Sequence, residues 1–125
     1  MTADRVVDAS AFAALTFLEP GFASTRARLE GCALHAPALL RFEMANVCLK
    51  KLRTLPLERD QLLIRYRGSF RVAIREHMVN QRQIVSLAEQ HKLTAYDASY
   101  LWLAKQLNCE LVTLDTDLAA AALVT

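Results

Sequence analysis

Residues that break or staple a chain are scarce here: 125 residues contain three glycines, three prolines and three cysteines. Cys32, Cys48 and Cys109 lie far apart with no C-x-x-C pair, and an odd count in so short a chain argues against a disulfide framework. A reducing cytoplasm is the compartment this implies. His35, His77 and His91 show no H-x-x-x-H or mixed Cys/His spacing, which argues against zinc and for packed or surface imidazoles. No stretch approaches the roughly 20 apolar residues of a membrane span, and the N-terminus carries no apolar leader, so membrane insertion and secretion are both disfavoured. Repeats and low-complexity tracts are absent. The formal net charge is only +2, too small to signal nucleic-acid binding by itself.

What is present suits a packed core. Apolar residues make up 54% of the chain and charged residues 22%, a balance expected of a buried sheet covered by helices. The length fits one domain over 1–125. Arg5-Val6-Val7 reads as a short strand delivering Asp8 to a helix over Ser10 to Leu18, which Glu19-Pro20-Gly21 ends. Gly21 and Gly31 bracket a second helix with Phe22 and Leu29 turned inward, and Ala33-Leu34-His35 follows as a strand. Pro37 is expected in the first turn of a helix running to about Arg53. Leu57 to Tyr66 reads as another helix, with Leu57, Leu62 and Ile64 apolar, and a third strand is expected near Val72 to Ile74. Asn80 to His91 is helical with Ile84, Leu87 and Ala88 inward. A helix entered through Leu93-Thr-Ala-Tyr-Asp97 and a buried strand over Glu110 to Thr113 complete the series. This alternation predicts a parallel α/β sheet in a three-layer α/β/α sandwich.

Four acids stand out within that order. Asp8, Asp97 and Asp115 occupy strand ends or helix mouths, where open α/β sheets place their chemistry. Each also has a purely structural reading: Asp8 as cap of the first helix, Asp97 in a Thr94-x-x-Asp97 capping box, and Asp115 or Asp117 as cap of the last helix. Glu43 has no cap to make. Leu39 and Leu40 lie one turn before it and Val47 one turn after, so it falls on an apolar helix face where a charge needs a partner. Arg41 or Lys50 in a buried ion pair is one explanation. The other is convergence of the four acids around a hard divalent cation, Mg²⁺ or Mn²⁺, a site suited to phosphodiester hydrolysis. Arg65, Arg67, Arg71 and Arg75, interleaved with Tyr66 and Phe70, read either as a grip on an RNA backbone or as a solvated face. Tyr96, Tyr100 and Trp102 read as core or dimer packing, and their spacing cannot turn all three one way.

The segments V-V-D-A-S (Asp8, Ser10), A-P-A-L-L-R-F-E-M-A-N (Glu43, Asn46), L-T-A-Y-D-A-S-Y-L (Asp97) and L-V-T-L-D-T-D-L (Asp115, Asp117) resemble the motifs of PIN-domain nucleases. The chain as a whole resembles the VapC-type toxins of bacterial and archaeal toxin–antitoxin pairs. The resemblance implies a parallel α/β/α sandwich, Mg²⁺ or Mn²⁺ at the acids, RNA as substrate, a cytoplasmic endoribonuclease acting as a toxin, a homodimer, and a VapB-like antitoxin that seats a segment beside the acids. Carried over by position, Asp8, Glu43 and Asp97 are the core acids and Asp115 the fourth. Ser10 and Thr113 support ligands, Asn46 orients an acid or a water, and Asp117 is an auxiliary acid. Relatives usually add a strand after the final helix, where this sequence has only Ala-Leu-Val-Thr125, so the sheet edge is left open. Two alternatives stand beside the nuclease: an inactive domain of the same fold that binds RNA or protein, and a Mg²⁺-dependent phosphoacceptor module. The latter leaves Glu43 unexplained and lacks the expected Thr and Lys at strand ends.

Overall fold

Val6 and Val7, both fully buried, lie in an interior strand of a four-stranded sheet ordered β3-β2-β1-β4. The computed structural model describes residues 2–125. The strands are β1 (Asp4–Val7), β2 (Ala33–Pro37), β3 (Ile74–His77) and β4 (Glu110–Val112). All pairings are parallel, with Val6 opposite His35 on one side and Leu111 on the other. The strand ends at Val7, Pro37, His77 and Val112 therefore share one edge. Among the described residues seven α-helices cover the sheet: α1 (Ala9–Phe17), α2 (Phe22–Leu29), α3 (Leu40–Thr54), α4 (Arg59–Ser69), α5 (Gln81–His91), α6 (Ala95–Leu107) and α7 (Thr116–Leu123). Helices α1 to α4 pack on one another, and α6 packs on α5 and α7. These are the two outer layers that right-handed crossovers require. No helix among the described residues is long and apolar enough to cross a membrane.

The strand order reverses at β1: the chain crosses to β2 and β3 on one side and returns to add β4 on the opposite flank, all strands running parallel. Such a switch point opens a crevice at the carboxyl ends of the two strands. The chain enters it through Asp8 on one side and Thr113 to Asp115 on the other. Gly21 starts α2 at φ 93, a left-handed conformation that glycine adopts without strain. A Cβ built there would meet Leu114 Cδ1 at 2.8 Å, so α2 sits tightly against the loop after β4.

Several local expectations need correction. Pro37 ends β2 and does not open a helix; its missing donor falls on the last residue of the strand, where the ladder stops. Helix α3 begins three residues later, at Leu40, without a side-chain cap. Helix α4 runs from Arg59 to Ser69 after a 3₁₀ turn at Pro56–Glu58, later than the expected Leu57 to Tyr66. Of its three expected apolar anchors only Leu62 is buried, while Leu57 is fully exposed and Ile64 is exposed. The turns that close α4 take up Phe70 to Val72, which delays β3 to Ile74. Phe22 is half-buried and Leu29 buried. Ile84, Leu87 and Ala88 are all buried, as their spacing required.

The aromatic side chains of α6 do diverge. Tyr96 is exposed, Tyr100 is buried, and the Trp102 indole N–H donates to Gln83 Oε1 at 2.7 Å. His35 is a packed imidazole, with its two nitrogens 2.8 Å from Asp4 Oδ1 and from His77 Nε2. No strand follows α7 among the described residues, so β4 is an edge strand. Arg28 covers part of that edge, pairing with Glu110 and donating to the Leu111 carbonyl at 3.4 Å.

Candidate active site

At the switch point the Asp8 carboxylate is fixed by three donors. Oδ1 accepts from the Ala11 backbone N–H at 2.9 Å, capping α1, and from the Ser10 hydroxyl at 2.8 Å. Oδ2 accepts from the Thr113 hydroxyl at 2.5 Å. Each hydroxyl has one proton, and both protons are spent on Asp8. The two oxygens are then free to accept backbone N–H groups: Leu114 N–H to Ser10 at 3.0 Å and Asp115 N–H to Thr113 at 3.0 Å. The loops after β1 and β4 are thereby laced together through one acid. Asp8 is 4% exposed, and burial pushes its carboxyl above the usual range despite the three donors, with the Asp97 charge adding to the shift.

Glu43 enters from α3. Its expected cationic partner does not form: Arg41 turns away to the Ser69 carbonyl at 3.3 Å and stacks between Phe12 and Phe70, and Lys50 is exposed. The partner is Tyr100 of α6, whose hydroxyl donates to Glu43 Oε1 at 2.5 Å. Burial raises the Glu43 carboxyl, the Tyr100 bond opposes this, and the charges of Asp97 and Asp8 raise it further. Reading Tyr100 as packing alone missed this bond. The signal available was its place one turn after Asp97, on the same helix face.

Asp97 lies in the first turn of α6, capped by Thr94, which accepts the Asp97 backbone N–H at 3.1 Å. Burial raises its carboxyl, the Asp115 charge adds to this, Thr94 opposes it, and Asp117 contributes the smallest push. Asp115 caps α7 by accepting the Leu118 N–H at 2.9 Å, while Asp117 in the same first turn is exposed. The capping readings of Asp8 and Asp115 are thus geometrically correct, and both side chains also face the crevice electrostatically. Like-charge coupling joins Asp8 to Asp97 and Glu43, and Asp97 to Asp115 and Asp117. Among the described residues no three carboxylates, imidazoles or thiols are grouped closely enough to share a metal ion.

The remaining candidate residues divide. Ser10 and Thr113 are joined to Asp8 as described. Asn46, one turn beyond Glu43 on α3, is exposed. Arg65 does not lie on an open cationic face: it is half-buried and reaches the Phe17 carbonyl at 3.4 Å. Arg67 at the end of α4, Arg71 in the turn that follows and Arg75 within β3 are exposed. The crevice donors are carboxylates and hydroxyls only, an all-oxygen set that suits a hard cation and not a thiophilic one.

Sequence and fold comparisons agree with this geometry. The family model for the PIN domain matches residues 5–123. Ribonuclease VapC3 of Pyrobaculum aerophilum is 35% identical over 119 residues, spanning 91% of this chain and 91% of that protein. The crystal structure of PAE2754, also from Pyrobaculum aerophilum, matches with a TM-score of 0.75 at 25% identity, covering 97% of this chain and 87% of that one. With its parallel sheet and a family match that spans residues 5–123, the chain belongs to the PIN-domain family, as a VapC-type member.

Proposed function

We propose that this chain is a metal-dependent endoribonuclease, hydrolysing RNA phosphodiester bonds as the toxin of a toxin–antitoxin pair, with residues 1–125 working as one PIN-like domain. The observation that carries the reading is the set of Asp8, Glu43 and Asp97: carboxylates from three separate elements, each raised above its ordinary range and each feeling the charge of another. Such self-repelling acids fit a divalent cation, Mg²⁺ or Mn²⁺, which when bound neutralises charge building on a phosphate oxygen and activates water. Asp8, Glu43, Asp97 and Asp115 would hold it. Ser10 and Thr113 aim the Asp8 carboxylate and partly offset the burial that raises it, and Thr94 orders the first turn of α6 under Asp97. Asn46 and Asp117 flank the acids and orient water or substrate. Arg67, Arg71 and Arg75 grip the RNA backbone from outside the crevice, whereas Arg65 serves the fold.

The 35% identity to Ribonuclease VapC3 over almost the whole chain supports RNA as substrate and a VapB-like antitoxin as partner. Exposed apolar side chains on α3 and beside β3, Phe42 at 80% and Met78 at 90% exposure, fit surfaces that a second copy and an antitoxin cover, in a homodimer and a hetero-oligomer. The location is the cytoplasm. An inactive binding domain is the second reading, favoured by the open spacing of the acids.

Cleavage assays separate the two readings. Asp8→Asn, Asp97→Asn and Glu43→Gln should each fold and lose more than ~100-fold of RNA cleavage with Mn²⁺ present, the loss expected when a ligand itself is removed. Full cleavage by all three variants, with contaminating nuclease excluded, would overturn the enzyme. Expression alone should arrest growth and coexpression of the neighbouring gene's product should relieve it; a harmless chain that ignores that product would overturn the toxin.

A further inference from the structure

Tyr100 is 1% exposed, yet its hydroxyl crosses from α6 to α3 and donates to Oε1 of Glu43 at 2.5 Å. A phenylalanine would fill nearly the same volume in the core. The hydroxyl adds one thing, a donor fixed on an acid that is otherwise held only by three rotatable bonds. Asp97 precedes Tyr100 by three residues, so one face of α6 presents both a candidate ligand and the group that orients its neighbour. The repulsion of Asp8 and Asp97 acts on Glu43 and would swing an untethered carboxylate outward. Tyr100 opposes that swing from the buried side.

We propose that Tyr100 is a positioning residue of the site: by pinning Oε1 of Glu43 it fixes the carboxylate plane and presents Oε2 to Asp8, Asp97 and a divalent cation held among them. This rests on the reading of Glu43 as a metal-binding acid. Groups that orient a ligand in this way typically contribute 10–100-fold to metal affinity.

The test uses Tyr100→Phe in the full chain, with Mn²⁺ titrated by calorimetry and melting followed in a chelator. Mn²⁺ affinity should fall by about 10–100-fold, while the metal-free melting temperature stays close to wild type. In a Glu43→Ala background the same change should alter Mn²⁺ affinity by less than about twofold, because a residue acting through Glu43 has nothing left to position. Leu101→Ala, equally buried on α6, is the packing control and should lower melting without changing Mn²⁺ affinity. A wild type that binds Mn²⁺ and a Tyr100→Phe variant that binds it equally well would leave Tyr100 as core packing and overturn the proposal alone. A Tyr100→Phe chain that does not fold overturns it too. A wild type that binds no Mn²⁺ overturns both this proposal and the metal-dependent reading beneath it.

Discussion

The Thr113 hydroxyl donates to Oδ2 of Asp8 at 2.5 Å and joins the ends of β4 and β1 across 105 residues of sequence. The Thr113 hydroxyl oxygen itself accepts the Asp115 backbone N–H at 3.0 Å. Thr113→Val keeps the shape but strands both partners in a buried setting, which should reduce stability by about 1–3 kcal/mol. Thr113→Ser should recover most of the loss. Urea unfolding measures both, and a wild-type midpoint for Thr113→Val would show that the hydroxyl does not hold the two strand ends.

The acids make the metal-free protein sensitive to pH in an unusual direction. Asp8, Glu43 and Asp97 are raised from ordinary values of 3.8, 4.5 and 3.8, so between those values and the native ones the folded state binds more protons than the unfolded chain. Stability from these groups is therefore fully present in acid and lost as pH rises through the native pKa values. Glu43→Gln should remove its share, so the gap in melting temperature between the variant and wild type should widen in the variant's favour from about pH 4 to neutrality. Melting in a chelator across that range checks the sign, and parallel curves would mean that burial and the neighbouring acids do not raise the Glu43 carboxyl.

Divalent ions should reverse the penalty. At 100 times its Kd, Mn²⁺ should stabilise the fold by about 2.7 kcal/mol through mass action alone. Differential scanning with Mn²⁺, Mg²⁺ and Ca²⁺ tests this, and the increment should shrink in Asp8→Asn. An unmoved melting curve at millimolar Mn²⁺ would mean that the crevice does not bind it.

The arginines predict two different phenotypes. Arg67→Ala, Arg71→Ala and Arg75→Ala remove exposed cations, so each should weaken RNA binding with little regard to sequence and lower the salt slope by about 0.7 for every phosphate that is no longer neutralised. Arg65→Ala should instead lower stability, because the side chain packs against the end of α1. Salt-dependent RNA titrations beside unfolding curves distinguish the two. Equal slopes for all four would return this stretch to a solvated face.

Most of the architecture was legible because strands and helices alternate with clear punctuation, and a parallel sheet follows from that order. The placement of Asp8 and Asp115 just past two strand ends and of Asp97 in the first turn of α6 was legible for the same reason. The misses arose where tertiary context outweighed local preference. Pro37 suits a helix start, but its neighbour across the sheet is His77, and strand pairing claimed it. Leu57 and Ile64 carry helical spacing, yet α4 meets the core through Leu62, Leu63 and Tyr66, and Leu57 and Ile64 face outward. The Tyr100 bond to Glu43 spans 57 residues and leaves no periodic trace. Sequence spacing could put Tyr100 and Asp97 on one face of α6 but could not put α3 opposite.

Asp8 and Asp115 close their helices with the same carboxylates that charge the crevice. Alanine at either position changes two quantities together, opening a helix end at about 0.5–2 kcal/mol as well as discarding a charge. Asparagine separates them, since it caps about as well as aspartate while carrying no charge. Loss of the chemistry therefore has a path at 8 and 115 that leaves folding almost untouched. Position 43 has a comparable path through glutamine only as long as Tyr100 retains an oxygen to donate to. Under the nuclease function proposed above, drift toward a silent copy of this chain should accordingly begin with amides at these positions and reach alanine late, and an Asn or Gln there would mark lost activity in a domain that still folds.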